Sequence, residues 1–259
     1  VVFPEKPPEW REGVLRRAYQ SFAQTMLDLF WSRNVDEGNW RQLVAVEAEP
    51  RDESALARGA LWCCPHYSCF EWLALVMPWL GHPTMVVAED FKNAALTPVF
   101  AAMRGHSGNT MISSDGAMLR LFKNLRRGGH SSFLCDLTVP ADQAATVIRC
   151  FGLKMSATIL HAALSQRTGL PVVPAICLPQ PDGTYVYRQF APRTLAPGTP
   201  VATSAQEIWD ELEPLIRERP EHWLWMYKHW RYLPADTEGR AYPAYANRSK
   251  KFDKLEAGA

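Results

Sequence analysis

Leu61-Trp62-Cys63-Cys64-Pro65-His66-Tyr67-Ser68-Cys69-Phe70-Glu71-Trp72 is the stretch on which the reading of this chain turns. An apolar run stops at Pro65, His66 follows at once, and Glu71 stands at the head of a second apolar run to Trp79. A short apolar run before a proline reads as a buried strand, and the longer run from Phe70 to Trp79 reads as a helix. Residues at i and i+5 do not share a helix face. With His66 in the strand-to-helix turn and Glu71 one turn inside the helix, the carboxylate is expected to accept a hydrogen bond from one imidazole nitrogen and leave the other as a base. The plain alternative is a core histidine satisfied by a nearby acid. Reactants in α/β sheets gather beyond the carboxyl ends of the strands, where His66 would lie, which favours the chemical reading.

Outward from this stretch the pattern alternates between strands and helices. Pro7 and Pro8 precede a helical stripe of Leu15, Tyr19, Phe22, Met26 and Phe30. Such a stripe ordinarily packs on a core, and lying on a membrane surface is its other use. Asp36 to Val46 is expected to form a second short helix and Asp52 to Arg58 a third. Downstream, strands are expected at Thr84 to Ala88, Met111-Ile112, Ser131 to Cys135 and Pro171 to Leu178, with Thr184 to Phe190 folding back across Pro181-Asp182-Gly183. Helices are expected at Asn93 to Arg104, Asp115 to Arg127, Ser156 to Arg167 and Glu221 to Trp230. This predicts an α/β fold, one domain over 1–259 with a mostly parallel central sheet flanked by helices. Residues 1–50 form an N-terminal segment of amphipathic helices in this reading, and 235–259 a loose tail.

Composition narrows the function. With 28 Lys plus Arg against 27 Asp plus Glu the net charge is +1, which gives no case for nucleic-acid binding, so any anion recognition must be local. Six cysteines without an even spacing read as reduced thiols. The chain opens on Val1, leaving room for an upstream segment, and has no run of 18 or more apolar residues. Ten tryptophans suit half-wet positions and keep peripheral membrane contact open.

Other groups near the central stretch have rival readings. Cys63, Cys64, His66 and Cys69 invite a zinc site, but adjacent cysteines on a strand point to opposite sides and no second Cys/His pair follows at structural-zinc spacing. A Cys64 or Cys69 nucleophile is disfavoured because apolar neighbours raise a thiol's pKa. Asp136 follows an apolar strand, as His66 does, and is expected at the same crevice. Arg104 closes a helix, where a cation satisfies last-turn carbonyls, and this plain reading weighs about evenly against a functional one. Arg126 and Arg149 lie among basic residues at strand and helix ends, of which one or two are expected to hold a phosphate. No G-x-G-x-x-G or P-loop occurs, so no nucleotide cofactor is expected.

Taken in order, these residues resemble the bacterial lipid A biosynthesis acyltransferases, the lauroyl- and myristoyl-type enzymes, and their lysophospholipid-acyltransferase-like relatives. His66 and Glu71 match the H-x-x-x-x-E signature, and Leu125-Arg126-Arg127-Gly128-Gly129 to Asp136 resembles the family's Leu-Arg-x-Gly, strand, Asp block. Phe151-Gly152, Thr158, Ala162-Ala163-Leu164 and Thr168-Gly169-Leu170-Pro171-Val172-Val173-Pro174 are similar to another block, and Pro220-Glu221-His222-Trp223-Leu224-Trp225 with Trp230 to the closing one. The resemblance spans roughly Tyr19 to Leu233. It implies a glycerol-phosphate-acyltransferase-like fold, with His66 as catalytic base, Glu71 as its partner, and Arg104 and Asp136 as functional residues. It further implies transfer of a fatty acyl chain from a thioester of acyl carrier protein or coenzyme A, the co-substrate, to a hydroxyl of a glycolipid or lysolipid such as a lipid A precursor. No metal or other cofactor is implied. The implied location is the cytoplasmic side of the bacterial inner membrane, in peripheral contact, or the cytoplasm. The rival functions are an acyl-thioester or lipid hydrolase and a non-catalytic acyl-carrier- or lipid-binding protein of the same fold.

Overall fold

Strand alternation decides how the centre of the molecule is built. In the computed structural model, which describes residues 1–48, 53–88, 91–196 and 198–258, the strand β2 (Leu61–Cys64) is buried on both faces. Leu61 and Cys63 point into one hydrophobic cluster, while Trp62 and Cys64 point into the other. A strand buried on both sides reads as an unbroken apolar run, which is why Leu-Trp-Cys-Cys carries no alternation.

Around β2 lies a seven-stranded sheet in the order β1-β9-β8-β2-β5-β3-β4. Its other strands are β1 (Val44–Ala48), β3 (Thr84–Val87), β4 (Thr110–Ile112), β5 (His130–Leu134), β8 (Val172–Pro179) and β9 (Tyr185–Gln189). β8, β2, β5, β3 and β4 run parallel, and β9 turns back antiparallel to β8. From β2 the chain steps toward β3 and β4. From β5 it crosses to β8 on the other side of β2. The carboxyl ends of β2 and β5 therefore lie where the succession of strands changes direction, the usual crevice of such sheets.

Helices cover the faces: α3 (Phe70–Trp79), α4 (Leu96–Gly105), α5 (Ala117–Arg126), α6 (Leu160–Thr168) and α7 (Val201–Glu218). The remaining elements are α1 (Pro8–Trp31), the one-turn α2 (Glu53–Leu56), a separate hairpin of β6 (Ala145–Cys150) and β7 (Leu153–Thr158), and α8 (Lys250–Ala257). Among the described residues no helix is long and apolar enough to cross a membrane.

Several expectations are corrected. Asp36 to Val46 is not a helix: a 3-10 turn at Trp40–Gln42 leads into β1, which pairs with β9. Ser156 to Thr158 belong to a strand, and the helix begins only at Leu160. The aromatic block after Pro220 forms a single 3-10 turn and then runs irregularly, while α7, ahead of it, was not foreseen. The C-terminal segment is not loose. Ser249 caps α8, Phe252 is fully buried, and Lys154 pairs with Glu256 at 2.6 Å. The start expected at Asp52 lies outside the described residues.

The first helix docks by an unexpected face. Its apolar stripe points outward, with Leu15, Tyr19, Phe22 and Phe30 all exposed, Tyr19 to 58%. The buried side carries Val14, Ala18, Thr25, Asp28 and Leu29. Polar bonds hold that side down: Thr25 donates to the Ser68 carbonyl at 2.9 Å, and the Tyr185 hydroxyl donates to Asp28 at 2.6 Å. Each buried polar group there has a partner, so burial carries no large desolvation cost.

Candidate active site

The loop from Pro65 to Cys69 is fixed from three sides. Ser68 holds φ 53°, a strained value for a residue with a side chain. Its N–H donates to the His222 carbonyl at 2.6 Å, and its carbonyl accepts from Thr25. Cys69 N–H reaches the Cys177 carbonyl on β8 at 3.3 Å, and Leu224 N–H reaches the His66 carbonyl at 3.2 Å. Strain at a ligand-facing turn persists only where its surroundings over-determine it, as these bonds do.

His66 faces Asp136, not Glu71. Its ring Nδ1 lies 2.8 Å from Asp136 Oδ1, and its backbone N–H donates to Oδ2 at 2.8 Å. The register explains the meeting: Cys64 pairs with Leu134 across β2 and β5, so His66 and Asp136 both stand two residues beyond one rung of the ladder. A carboxylate on Nδ1 places the proton there and leaves Nε2 as the basic nitrogen.

Asp136 is fully buried and also receives Trp223 Nε1–H at 2.8 Å. Burial by itself would raise its pKa, but the His66 and His229 imidazoles and the His66 and Trp223 donors outweigh it and hold the carboxyl below the usual range. His229 stacks on Trp223 at 4.0 Å and donates from Nε2 to the Leu224 carbonyl at 2.8 Å. Its Nδ1 faces the Asp136 carbonyl at 3.3 Å, and burial, the largest cause, lowers its pKa. The sequence did not single out Trp223 or His229 as site residues. Trp223 appeared there only within the closing block of the family resemblance, and His229 only within the helix expected from Glu221 to Trp230.

Glu71, in the first turn of α3, is buried and grips the Arg104 guanidinium from α4. Arg104 Nη2 lies 2.6 Å from Oε1, and Nε lies 3.0 Å from Oε2. The expected His66–Glu71 hydrogen bond is therefore replaced by two pairs, His66 with Asp136 and Glu71 with Arg104. The cause is topological: β5 brings a carboxylate to the ring nitrogen from the neighbouring strand, while α4 supplies a cation to the helix carboxylate.

The two remaining arginines lie elsewhere. Arg126 is exposed at the end of α5, just before β5 begins, which is the edge of the sheet opposite to His66. Arg149, on β6, forms a twofold hydrogen-bonded pair with Glu238 at 2.8 Å and lines a separate open cleft of about 720 Å³. All six cysteines are buried and free. Burial pushes the Cys69 thiol up to about 12 and raises Cys64 further, the opposite of an activated nucleophile. Among the described residues no three His, Cys, Asp or Glu side chains are grouped to hold a metal ion.

His66 opens onto a small cavity of about 10 Å³, room for one water, bordered by Ser68, Phe70, Trp223 and the α1 residues Ala18, Ser21 and Phe22. Next to it, one helical turn along α1, is an apolar cavity of about 260 Å³.

With this geometry in hand, comparison with known proteins gives one clear result. A model of the family described as bacterial lipid A biosynthesis acyltransferase matches residues 1–232. No curated protein matches the chain.

Proposed function

The chain belongs to the bacterial lipid A biosynthesis acyltransferases, and from that premise we propose that it moves a fatty acyl chain from a thioester to a hydroxyl of a glycolipid or lysolipid such as a lipid A precursor. The donor is the thioester of acyl carrier protein or coenzyme A. The observation that carries this reading is the His66–Asp136 pair, two hydrogen bonds of 2.8 Å that fix the ring with Nδ1 on the carboxylate and turn Nε2 away from it.

In the reaction the acceptor hydroxyl gives its proton to His66 Nε2 as its oxygen attacks the thioester carbonyl carbon. The tetrahedral intermediate collapses, the C–S bond breaks, and the departing sulfur takes that proton back as a thiol. An ester forms, and no electron is gained or lost. Asp136 orients the imidazole and stabilises the imidazolium. Backbone N–H groups at the start of α3, where the helix dipole is positive, suit the developing oxyanion. Arg104, fixed by Glu71, is a preorganised cation for a donor or acceptor phosphate. Glu71 is thus a positioning residue for Arg104. The exposed stripe of α1, flanked by Arg16, Arg17 and Arg33, suits peripheral contact with an anionic lipid surface.

The test is incubation of the protein with labelled acyl thioesters and glycolipid or lysolipid acceptors, followed by mass spectrometry of the lipids. An acylated lipid is expected, and it is expected to disappear in His66→Ala. Free fatty acid without acylated lipid would show a hydrolase instead.

A further inference from the structure

We propose that Trp223, braced by His229, is a positioning residue for the reaction: it fixes the plane of the Asp136 carboxylate and, through it, the direction in which His66 Nε2 points. This rests on the acyl-transfer reading. A carboxylate turns easily about its last torsion, which has broad wells and not sharp ones. Asp136 is held against that freedom. Its Oδ1 meets His66 Nδ1 at 2.8 Å, and its Oδ2 accepts the His66 backbone N–H at 2.8 Å. Both bonds come from one residue and define an axis about which the carboxylate can still tilt. A third donor from a different segment removes that tilt. Trp223 supplies it, donating from Nε1 to Oδ2 at 2.8 Å.

The indole is itself held so that its N–H cannot turn away. Trp223 is fully buried, and its ring packs against Phe151, Trp209, Trp225 and Trp230 at centroid distances of 4.7 to 6.0 Å. His229 lies stacked on it at 4.0 Å. That imidazole is pinned in turn at both nitrogens, Nδ1 at 3.3 Å from the Asp136 carbonyl and Nε2 at 2.8 Å from the Leu224 carbonyl. The contacts thus run in a closed ring: Asp136 backbone to His229, His229 to Trp223, and Trp223 back to the Asp136 side chain. Two further bonds stitch the same segments, from the Thr138 hydroxyl to the His229 carbonyl and from the Tyr227 hydroxyl to the Thr138 carbonyl at 3.1 Å. In such a network the loss of one member costs more than its single bond.

Trp223 also borders the His66 chamber, so its rival role is a direct contact with substrate. Its chemistry argues against that. An indole has one N–H and no acceptor, and here that N–H is spent on Asp136. What remains for the chamber is an apolar ring surface. A tyrosine or histidine at this place could trade donor for acceptor, whereas a tryptophan can only donate, which suits a group whose task is to hold an anion still. Proton transfer to Nε2 needs the acceptor oxygen within about 2.6–3.2 Å. A small tilt of Asp136, passed to the ring through Nδ1, is therefore felt in the chemical step and not in binding.

The experiment compares Trp223→Phe with the wild type on acyl thioester and lipid acceptor, reading kcat and KM separately. The phenyl ring keeps the stack and loses the N–H. kcat is expected to fall about tenfold, inside the roughly 10²-fold that a misplaced reacting group costs, with both KM values changed by less than about twofold. In an Asp136→Ala background the same substitution should cost less than about twofold, because Trp223 acts through that carboxylate. Equal losses in both backgrounds would make Trp223 independent of Asp136, and a raised KM at unchanged kcat would make it a substrate contact; either overturns the proposal. Full turnover with a lowered unfolding midpoint would reduce it to a packing residue and overturns it as well. Because trimming a buried ring risks misfolding, benzothienylalanine at position 223, an isostere with sulfur in place of Nε1–H, is the second variant and is held to the same outcomes. A substrate-free NMR readout separates this proposal from the transferase reading. In protein carrying isotope-labelled histidine, the proton between His66 Nδ1 and Asp136 should give a signal that His66→Ala removes and that Trp223→Phe broadens by exchange with water. An unchanged signal overturns the positioning role even where turnover falls. A broadened signal in a protein that transfers no acyl group to any acceptor would sink the transferase reading and leave the positioning role standing.

Discussion

The pairs His66–Asp136 and Glu71–Arg104 begin five residues apart in sequence, yet they are built by different means. The first is made by two neighbouring strands that end in register, so its geometry is set by the backbone ladder of β2 and β5. The second joins side chains of two helices, α3 and α4, and its geometry is set by packing. Asp136 is fully buried and shared by several donors, whereas Arg104 is 22% exposed and retains a wet side. A strand-end pair is rigid and suits proton transfer, which tolerates little displacement. A helix-to-helix ion pair with one wet member suits recognition of a ligand that arrives from solution.

Breaking the first pair should have the largest effect. His66→Ala is expected to lower transfer about 10²–10⁴-fold, with the unfolding midpoint shifted by only a few degrees. Equal turnover in a labelled-thioester assay would remove His66 from the mechanism. Asp136→Asn keeps the shape but offers Nδ1 an amide, so transfer should fall about 10²-fold, and the unfolding midpoint should fall as well because the buried site loses its charge-assisted bonds. A variant that unfolds earlier but turns over normally would reduce Asp136 to a structural role.

The second pair should behave as a unit with a weaker grip on rate. Glu71→Gln and Arg104→Gln should each raise KM more than they lower kcat. Their double variant should lose less than the sum of the two, by an interaction energy of about 0.5–3 kcal/mol. Strict additivity in that cycle would show that the contact carries no function. The smallest effects are expected at Arg126 and Arg149. Alanine at either should change stability by less than about 0.5 kcal/mol, and kcat/KM by less than about twofold. A large loss of donor affinity in Arg149→Ala would bring the separate cleft back into the mechanism.

Acid should affect the molecule beyond the first pair. Burial, the leading cause in each case, lowers His130, His161 and His222 to about 4. Between about 6.5, the ordinary imidazole value, and about 4, the unfolded chain therefore binds more protons, and stability falls as pH falls. The depressed Asp136 acts lower down. Its stabilisation is present above the ordinary carboxylate value near 3.9 and is lost as pH drops through the folded-state value. Unfolding midpoints that stay flat from pH 7 to pH 4.5 would contradict the buried-imidazole account.

How far the sequence could be read follows from the range of the forces involved. The runs at Leu61 to Cys64 and Phe70 to Trp79 show as strand and helix because burial on both faces leaves few polar residues. The α1 stripe shows equally well, but its direction does not: periodicity gives a helix its faces without saying which face meets the core. The polar bonds from Thr25 and Asp28 settled that. The segment from Glu221 to Trp230 has helical spacing, but its rings and backbone groups make better bonds to Ser68, His66 and Asp136 than a helix would offer.

By itself the sequence determined the α/β class and the turn that bears His66. It also carried the likeness to lipid A acyltransferases. Only the tertiary structure decided who pairs with whom, because a hydrogen bond two residues past a strand rung depends on which strands lie side by side and in what register. That choice is made by contacts some 70 residues apart in the chain, beyond the reach of any local spacing.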